Sequence, residues 1–375
     1  LENLDSVIAK SKVIVCAGSG GVGKTTISSA IGVRAAQMGK RTLVLTVDPA
    51  KRLATALGLD LSNDADSPVP LTAIPGTLSA AVIDSKKTFD RFITTHAKGA
   101  EIVDRIMQNR LYQQLSTTLA GSQEFTALER LLESVESKRY DLVVLDTPPT
   151  QHAMDFLTAP HRIAALFQDA TTKWFAGPDE KPKGFISGLI GRGTRIALKS
   201  LEVLTGGQFI EELVDFFAAV RSIQDVLRLR SQLALKILMD EGTSFILVTS
   251  FDAAKLAEAG YLQRRLQEMN YHLRAVVINR AFPNWLPEAI VKKPAAVSEE
   301  SYEKVLNFFA KFKDYYAFRY TLYDDFAKSL PSEVSRMRIP DYHQDIHGLE
   351  DLEALATVLG GTSTAKEEKP DAAFN

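Results

Sequence analysis

A chain of 375 residues with 45% hydrophobic and 24% charged residues has ordinary globular composition and enough length to bury a large core. A formal net charge of -2 gives no overall basic field for nucleic acid or anionic lipid, and one cysteine, Cys16, excludes an intrachain disulfide and a thiolate-rich metal site built by one subunit. No basic-then-apolar leader pattern opens the chain and no apolar run reaches about 18 residues, so the expectation is a cytoplasmic protein.

Residues 13–17 are apolar and β-branched and read as a buried strand. Residues 18–26 follow as Gly-Ser-Gly-Gly-Val-Gly-Lys-Thr-Thr, then a helical pattern over 25–38 with Ile27, Ala30, Ile31, Val33 and Ala35 in register. Gly39-Lys40 stops that helix, and a second strand over 42–47 ends in Asp48-Pro49-Ala50. Strand, helix, strand makes a βαβ unit and hence a parallel sheet with right-handed crossovers. Residues 60–77, rich in Asp, Ser and Pro, read as a surface loop, and 79–83 as a third strand closing on Asp84. Helical spacing runs from 85 to 138 with a break near Ala120-Gly121-Ser122, and a fourth strand over 142–145 ends in Asp146-Thr147-Pro148-Pro149-Thr150.

No convincing strand lies between 151 and 241, which reads as several helices crossed by a charged link at 177–184. Strands return at 245–249 and 275–278 around a helix over 253–269, followed by helical blocks at 299–329 and 349–359. The small, polar tail 360–375 is expected to be disordered. The fold class is therefore α/β: a mostly parallel sheet flanked by helices in one domain over 1–375. A large helical subdomain, about 151–241 with part of 85–138, is inserted behind the fourth strand.

In open parallel sheets, ligands sit beyond the carboxyl ends of the strands, and three such ends carry suitable groups. Gly18, Gly23, Lys24 and Thr25 supply G-x-x-x-x-G-K-T, whose backbone N–H groups wrap a phosphate chain. Gly20, Gly21 and Gly23 allow close backbone approach; Val22, Lys24, Thr25 and Thr26 complete the nucleotide loop. Lys24 would neutralise β- and γ-phosphates and the Thr25 hydroxyl would bind Mg2+. Asp48 is a candidate for orienting the attacking water, or else a turn residue before Pro49. Asp146, ending an apolar strand, stands where an acid holds Mg2+ directly or through water. The catalytic candidates are thus Lys24, Asp48 and Asp146, and the cofactors a nucleoside triphosphate and Mg2+.

Residues 18–26 (GSGGVGKTT), 48–53 (DPAKRL), 146–152 (DTPPTQH) and Asn279-Arg280 together resemble the ArsA-type ATPase family of P-loop NTPases. Its members include arsenite-pump ATPases and the targeting factor for tail-anchored membrane proteins. Residues 339–349 (IPDYHQDIHGL), with Pro340, resemble the family's C-terminal nucleotide loop more loosely, and 121–130 (GSQEFTALER) its bacterial branch. The resemblance runs from about residue 10 to 359. It implies a dimer, of like or related subunits, with two nucleotides facing across the interface. It also implies Asp48 in switch I, Asp146 in switch II near Mg2+ and Asn279 reading adenine, although Asn279 otherwise reads as a strand-end turn residue.

Three departures qualify the resemblance. Ser19 stands where the family's loop carries a lysine that reaches the partner's active site, which raises the expectation of a partner subunit that keeps it. The Cys-x-x-Cys pair that clamps some dimers with zinc is absent, so no zinc is expected. The cysteines of arsenite pumps are also absent, and a soft As(III) site needs thiolates.

The apolar helical patterns at 184–204 and 208–238 read either as an adaptable surface for a hydrophobic client helix or as packing among themselves. The aromatics between 302 and 326 are spaced for one buried helix face, and their interleaved charges cancel, so nucleic-acid binding is not expected. The six histidines lack metal-ligand spacing, and His152 reads as support for the switch loop. The sequence points to a Mg2+-dependent ATPase with a nucleotide-driven dimer switch that handles a hydrophobic membrane-protein client and meets the membrane only through a partner. The alternatives are an ATPase subunit energising an anion or metalloid transporter, or a partition-type spatial regulator.

Overall fold

A computed structural model describes residues 3–47, 52–57, 59, 65–97, 99–110, 112–113, 122–148, 223, 225–281, 293, 295–340, 346 and 348–360. Asp48, His152, the tail beyond 360 and residues 151–222 of the expected subdomain lie outside the described residues. Among the described residues the sheet has eight strands: β1 (Val13–Gly18), β2 (Arg41–Thr46), β3 (Ser67–Pro68), β4 (Thr77–Val82), β5 (Leu142–Asp146), β6 (Thr243–Ser250), β7 (Leu273–Ala281) and β8 (Ser335–Pro340). Their order is β3-β4-β2-β5-β1-β6-β7-β8, with β3 antiparallel to β4 and every other pairing parallel.

β1 is central and buried along its whole length, as its continuous apolar run requires of a strand covered on both faces. Its side chains alternate between two cores. Val13 and Val15 join Leu43, Leu45, Val143, Leu145, Phe245 and Leu247 on one face. There α6 (Ser122–Glu136), α7 (225–239) and α8 (Ala253–Glu268) cover the sheet. Ile14 and Cys16 face the other core, under α1 (Leu4–Lys10), α2 (Lys24–Gln37), α3 (Arg52–Leu57) and α10 (Leu349–Gly360). Further helices are α4 (Ser85–His96), α5 (Ala100–Gln108) and α9 (Glu299–Ser329).

Two strands and two short helices, α1 and α3, lie where the sequence reading had none. β3 falls inside the expected loop 60–77; it is a two-residue edge pairing in which a proline is tolerated because its neighbour-free side needs no N–H. β8 alternates Ser335, Arg336, Met337, Arg338 and Ile339, so only Ser335 and Ile339 are buried and the apolar signal is weak. α1 is short, but Asn3 caps it by accepting from the Ser6 N–H at 2.9 Å. Arg34 of α2 grips Asp5 through Nε and Nη2, one edge of its guanidinium, at 2.8 and 2.6 Å.

α9 corrects the expectation of one buried aromatic face. It spans 31 residues, about 46 Å of helix, and only its C-terminal part reaches the core. Phe326 is buried there, while Tyr320 and Tyr323 pack against Phe251 with ring centroids 5.1 and 5.6 Å away. Phe308 and Phe318 are 69% and 65% exposed. Helical spacing reports a common side of the helix, and a helix longer than its support leaves part of that side uncovered.

α6 is the best-anchored helix around the expected insertion. Arg230 of α7 donates to Glu129 at 2.6 and 3.0 Å and to Glu136 at 2.7 Å. Burial pushes the Glu129 carboxyl up, against the pull of Arg230. One residue along, Arg130 pairs with Asp66, which also accepts from Arg139 at 2.6 Å and Tyr140 at 2.7 Å. These ties hold α6 between Asp66, just before β3, and α7, the helix that returns the chain to β6.

Candidate active site

The glycine loop leaves the carboxyl end of β1 and enters α2 directly. Gly18 lies against β6: any Cβ there would run into the Val248 carbonyl. Gly23 is the N-cap of α2 at φ +86, a left-handed conformation, and a Cβ on it would collide with the Asn279 side-chain amide. No side chain caps α2 and no acid stands in its first turn, so its first N–H groups are presented to an incoming anion. Lys24 opens the helix, is largely buried, and donates from Nζ to the Ser19 carbonyl at 2.8 Å.

Asp146 ends β5 next to β1, paired with Cys16, and is 1% exposed. Its Oδ2 accepts from the Thr25 hydroxyl at 2.6 Å and the Thr46 hydroxyl at 2.9 Å. The sequence reading placed Thr25 and Asp146 at one site, and the fold brings them into contact. Thr46 was missed: it is the polar residue that follows the apolar run Leu43–Leu45 of β2, two positions before Asp48, and that position was its only signal. The site continues in Thr147, whose N–H and hydroxyl bond the Cys16 carbonyl at 3.2 and 2.8 Å.

These donors fit Mg2+, a hard cation that takes oxygen ligands and keeps several from water or phosphate. Because Thr25 donates its proton to Asp146, its lone pairs remain for a metal. Among the described residues no group of three or more His, Cys, Asp or Glu side chains could hold a metal unaided. A cation here would therefore have to share its shell with phosphate and water.

Asn279 lies in β7 and sends its amide to the Val22 carbonyl at 2.9 Å, so it is tied to the loop as well as sitting beside it. The next residue, Arg280, has φ +53, and the pairing of β7 with β8 shifts there. Pro340 closes β8, exposed and paired with Ala281, one strand further out. Ser19 is 1% exposed, packed within its own chain.

Cys16 lies between these groups. Burial, far more than the opposing Ser28 hydrogen bond, pushes its thiol up to about 12, with Asp146 adding to the rise. An ordinary cysteine near 8.5 gains thiolate steeply between pH 7 and 9.5; Cys16 does not, and the stability held by its protonated form is lost only as pH climbs from that ordinary value toward 12. Native protein should therefore resist alkylation by iodoacetamide at pH 9 and react fully once unfolded, as read by intact mass. Rapid native labelling would show that the site opens.

A phosphate loop at the carboxyl end of a central parallel strand, with a strand-end aspartate bonded to its threonine, defines a P-loop nucleoside triphosphatase. The family model of the anion-transporting ATPases (ArsA ATPase) matches residues 11–361, so the chain belongs to that family and hydrolyses ATP. It is 24% identical over 371 residues to an Aquifex aeolicus protein whose name assigns it as an arsenical pump-driving ATPase, covering 97% of this chain and 81% of the relative. It is 25% identical over 360 residues to the ATPase get3 of Aspergillus niger, covering 95% and 93%, and 24% identical over 361 residues to the ATPase get3 of Aspergillus terreus, covering 95% and 93%.

Proposed function

We propose that this ATPase is a Mg2+-dependent dimer switch that handles or targets a hydrophobic segment of a membrane protein. The observation that carries it is the Thr25–Asp146–Thr46 joint. It links the phosphate loop, β2 on its way to Asp48, and β5 on its way to the insertion. Whatever fills the loop acts at once on both segments that leave the sheet beside it. In this reading Gly20, Gly21, Val22, Gly23 and Thr26 cradle the phosphates and Lys24 holds the β- and γ-oxygens. Mg2+, when bound through Thr25 and, by way of water, Asp146, would neutralise charge that builds on the transferred phosphoryl group.

Asp48 orients the attacking water. Asn279, its amide already spent on Val22, offers its carbonyl oxygen to the adenine amino group, and Pro340 borders the base. Two protomers, identical or related, would face each other across their nucleotides, with the switch passing from residues 146–150 into the helices behind them. Among the described residues no helix is long and apolar enough to cross a membrane, and in this reading the membrane is met through a partner.

The name of the Aquifex relative favours a second reading, a subunit that energises an anion or metalloid transporter. Cys16 weakens its metalloid form: it is the chain's one thiol, it is buried, and it stays protonated. The third, a partition-type regulator, gains nothing from the balanced charge of the chain.

The deciding experiment is Asp48→Asn held in ATP, which should keep nucleotide and lose turnover, followed by identification of what it retains. Hydrophobic membrane segments are the expected result. A single permease would replace the targeting reading with transport, a sister ATPase alone would argue for a heteromer without a client, and loss of nucleotide binding would make Asp48 structural.

A further inference from the structure

Ser19 is 1% exposed, and its hydroxyl has no hydrogen-bond partner among the described residues. A buried hydroxyl left unsatisfied costs free energy, and such groups in native structures are few. This one lies in the phosphate loop, on the peptide whose carbonyl holds the Lys24 ammonium at 2.8 Å. The cation assigned to the β- and γ-phosphates therefore rests against the residue that carries the unsatisfied donor. Phosphate oxygens entering the loop would take over Lys24 and at the same time offer that hydroxyl an acceptor.

We propose that the Ser19 hydroxyl donates to the terminal phosphate of ATP bound in its own chain, so that Ser19 distinguishes the triphosphate from the diphosphate. This rests on the ATP-site reading above. It gives the loop a donor whose desolvation is already complete before nucleotide arrives, and whose satisfaction depends on the terminal phosphate being there. A serine hydroxyl at this position works from inside the protomer and needs no neighbouring subunit.

The test is Ser19→Ala, which removes the donor and little else. Affinities for Mg2+ with ADP and for Mg2+ with the β,γ-imido analogue of ATP are measured by calorimetric titration, alongside melting of the nucleotide-free protein. The expected result is about tenfold weaker binding of the triphosphate analogue and less than about twofold change for ADP, the size of one hydrogen bond to a charged acceptor. The nucleotide-free variant should melt at or above the wild-type temperature, because it has lost an unsatisfied group. Equal losses for both nucleotides, no loss for either, or a lower melting temperature without nucleotide would each overturn the proposal. Failure of the wild-type protein to bind either nucleotide would instead bring down the site reading on which it stands.

Discussion

Lys24→Ala should abolish ATP turnover while leaving the fold in place. Lys24 is the loop's buried cation, and it donates to the Ser19 carbonyl, an acceptor that costs little to lose at a loop that opens to ligand. Its removal takes away the charge that would stabilise the β- and γ-oxygens as bonds to the phosphoryl group break. Deleting one preorganised donor at such a site lowers turnover about 10²–10³-fold, and a formal positive charge in a buried setting places this case at or beyond the upper end. Steady-state phosphate release should fall at least about 10³-fold, with melting of the nucleotide-free protein shifted by no more than a few degrees, as for changes of about 1 kcal/mol. Turnover within tenfold of wild type would remove Lys24 from the mechanism.

How much of this was legible in the sequence depends on which signal each element carries. β1, β2, β5, β6 and β7 announce themselves because strands buried on both faces need continuous apolar runs. The helix over 299–329 was also bounded correctly, but its burial was not, because periodicity records a shared side and says nothing of what lies against it. β8 hides behind two arginines at a sheet edge, where one face is solvated.

At the site, the G-x-x-x-x-G-K-T spacing and Asp146 could be read because the chemistry demands those residue types at those strand ends. Thr46 could not, since one hydroxyl at a strand end has many uses and only the fold shows it bonded to Asp146. Asn279 was placed near the base from resemblance. Its bond to Val22, and the reason Gly23 admits no side chain, are tertiary facts that neither segment states alone.

Asp146→Asn separates charge from shape at the joint that carries the proposed function. The substitution keeps the volume of a residue that is 1% exposed, and asparagine can set its oxygen in the place of Oδ2, where it still accepts from both Thr25 and Thr46. Taking a carboxylate out of water is costly, so neutralising it should leave melting of the nucleotide-free protein unchanged or raised. What disappears is the negative end of the Mg2+ site. Nucleotide binding without Mg2+ should be nearly unchanged, added Mg2+ should no longer tighten it, and turnover should fall about 10²–10³-fold. Loss of the Mg2+ effect with retained binding would tie Asp146 to the cation; equal loss with and without Mg2+ would make it a structural brace of the loop. Cys16 offers an internal control: burial is the larger cause of its raised thiol and survives the substitution, so a folded variant should still refuse iodoacetamide at pH 9.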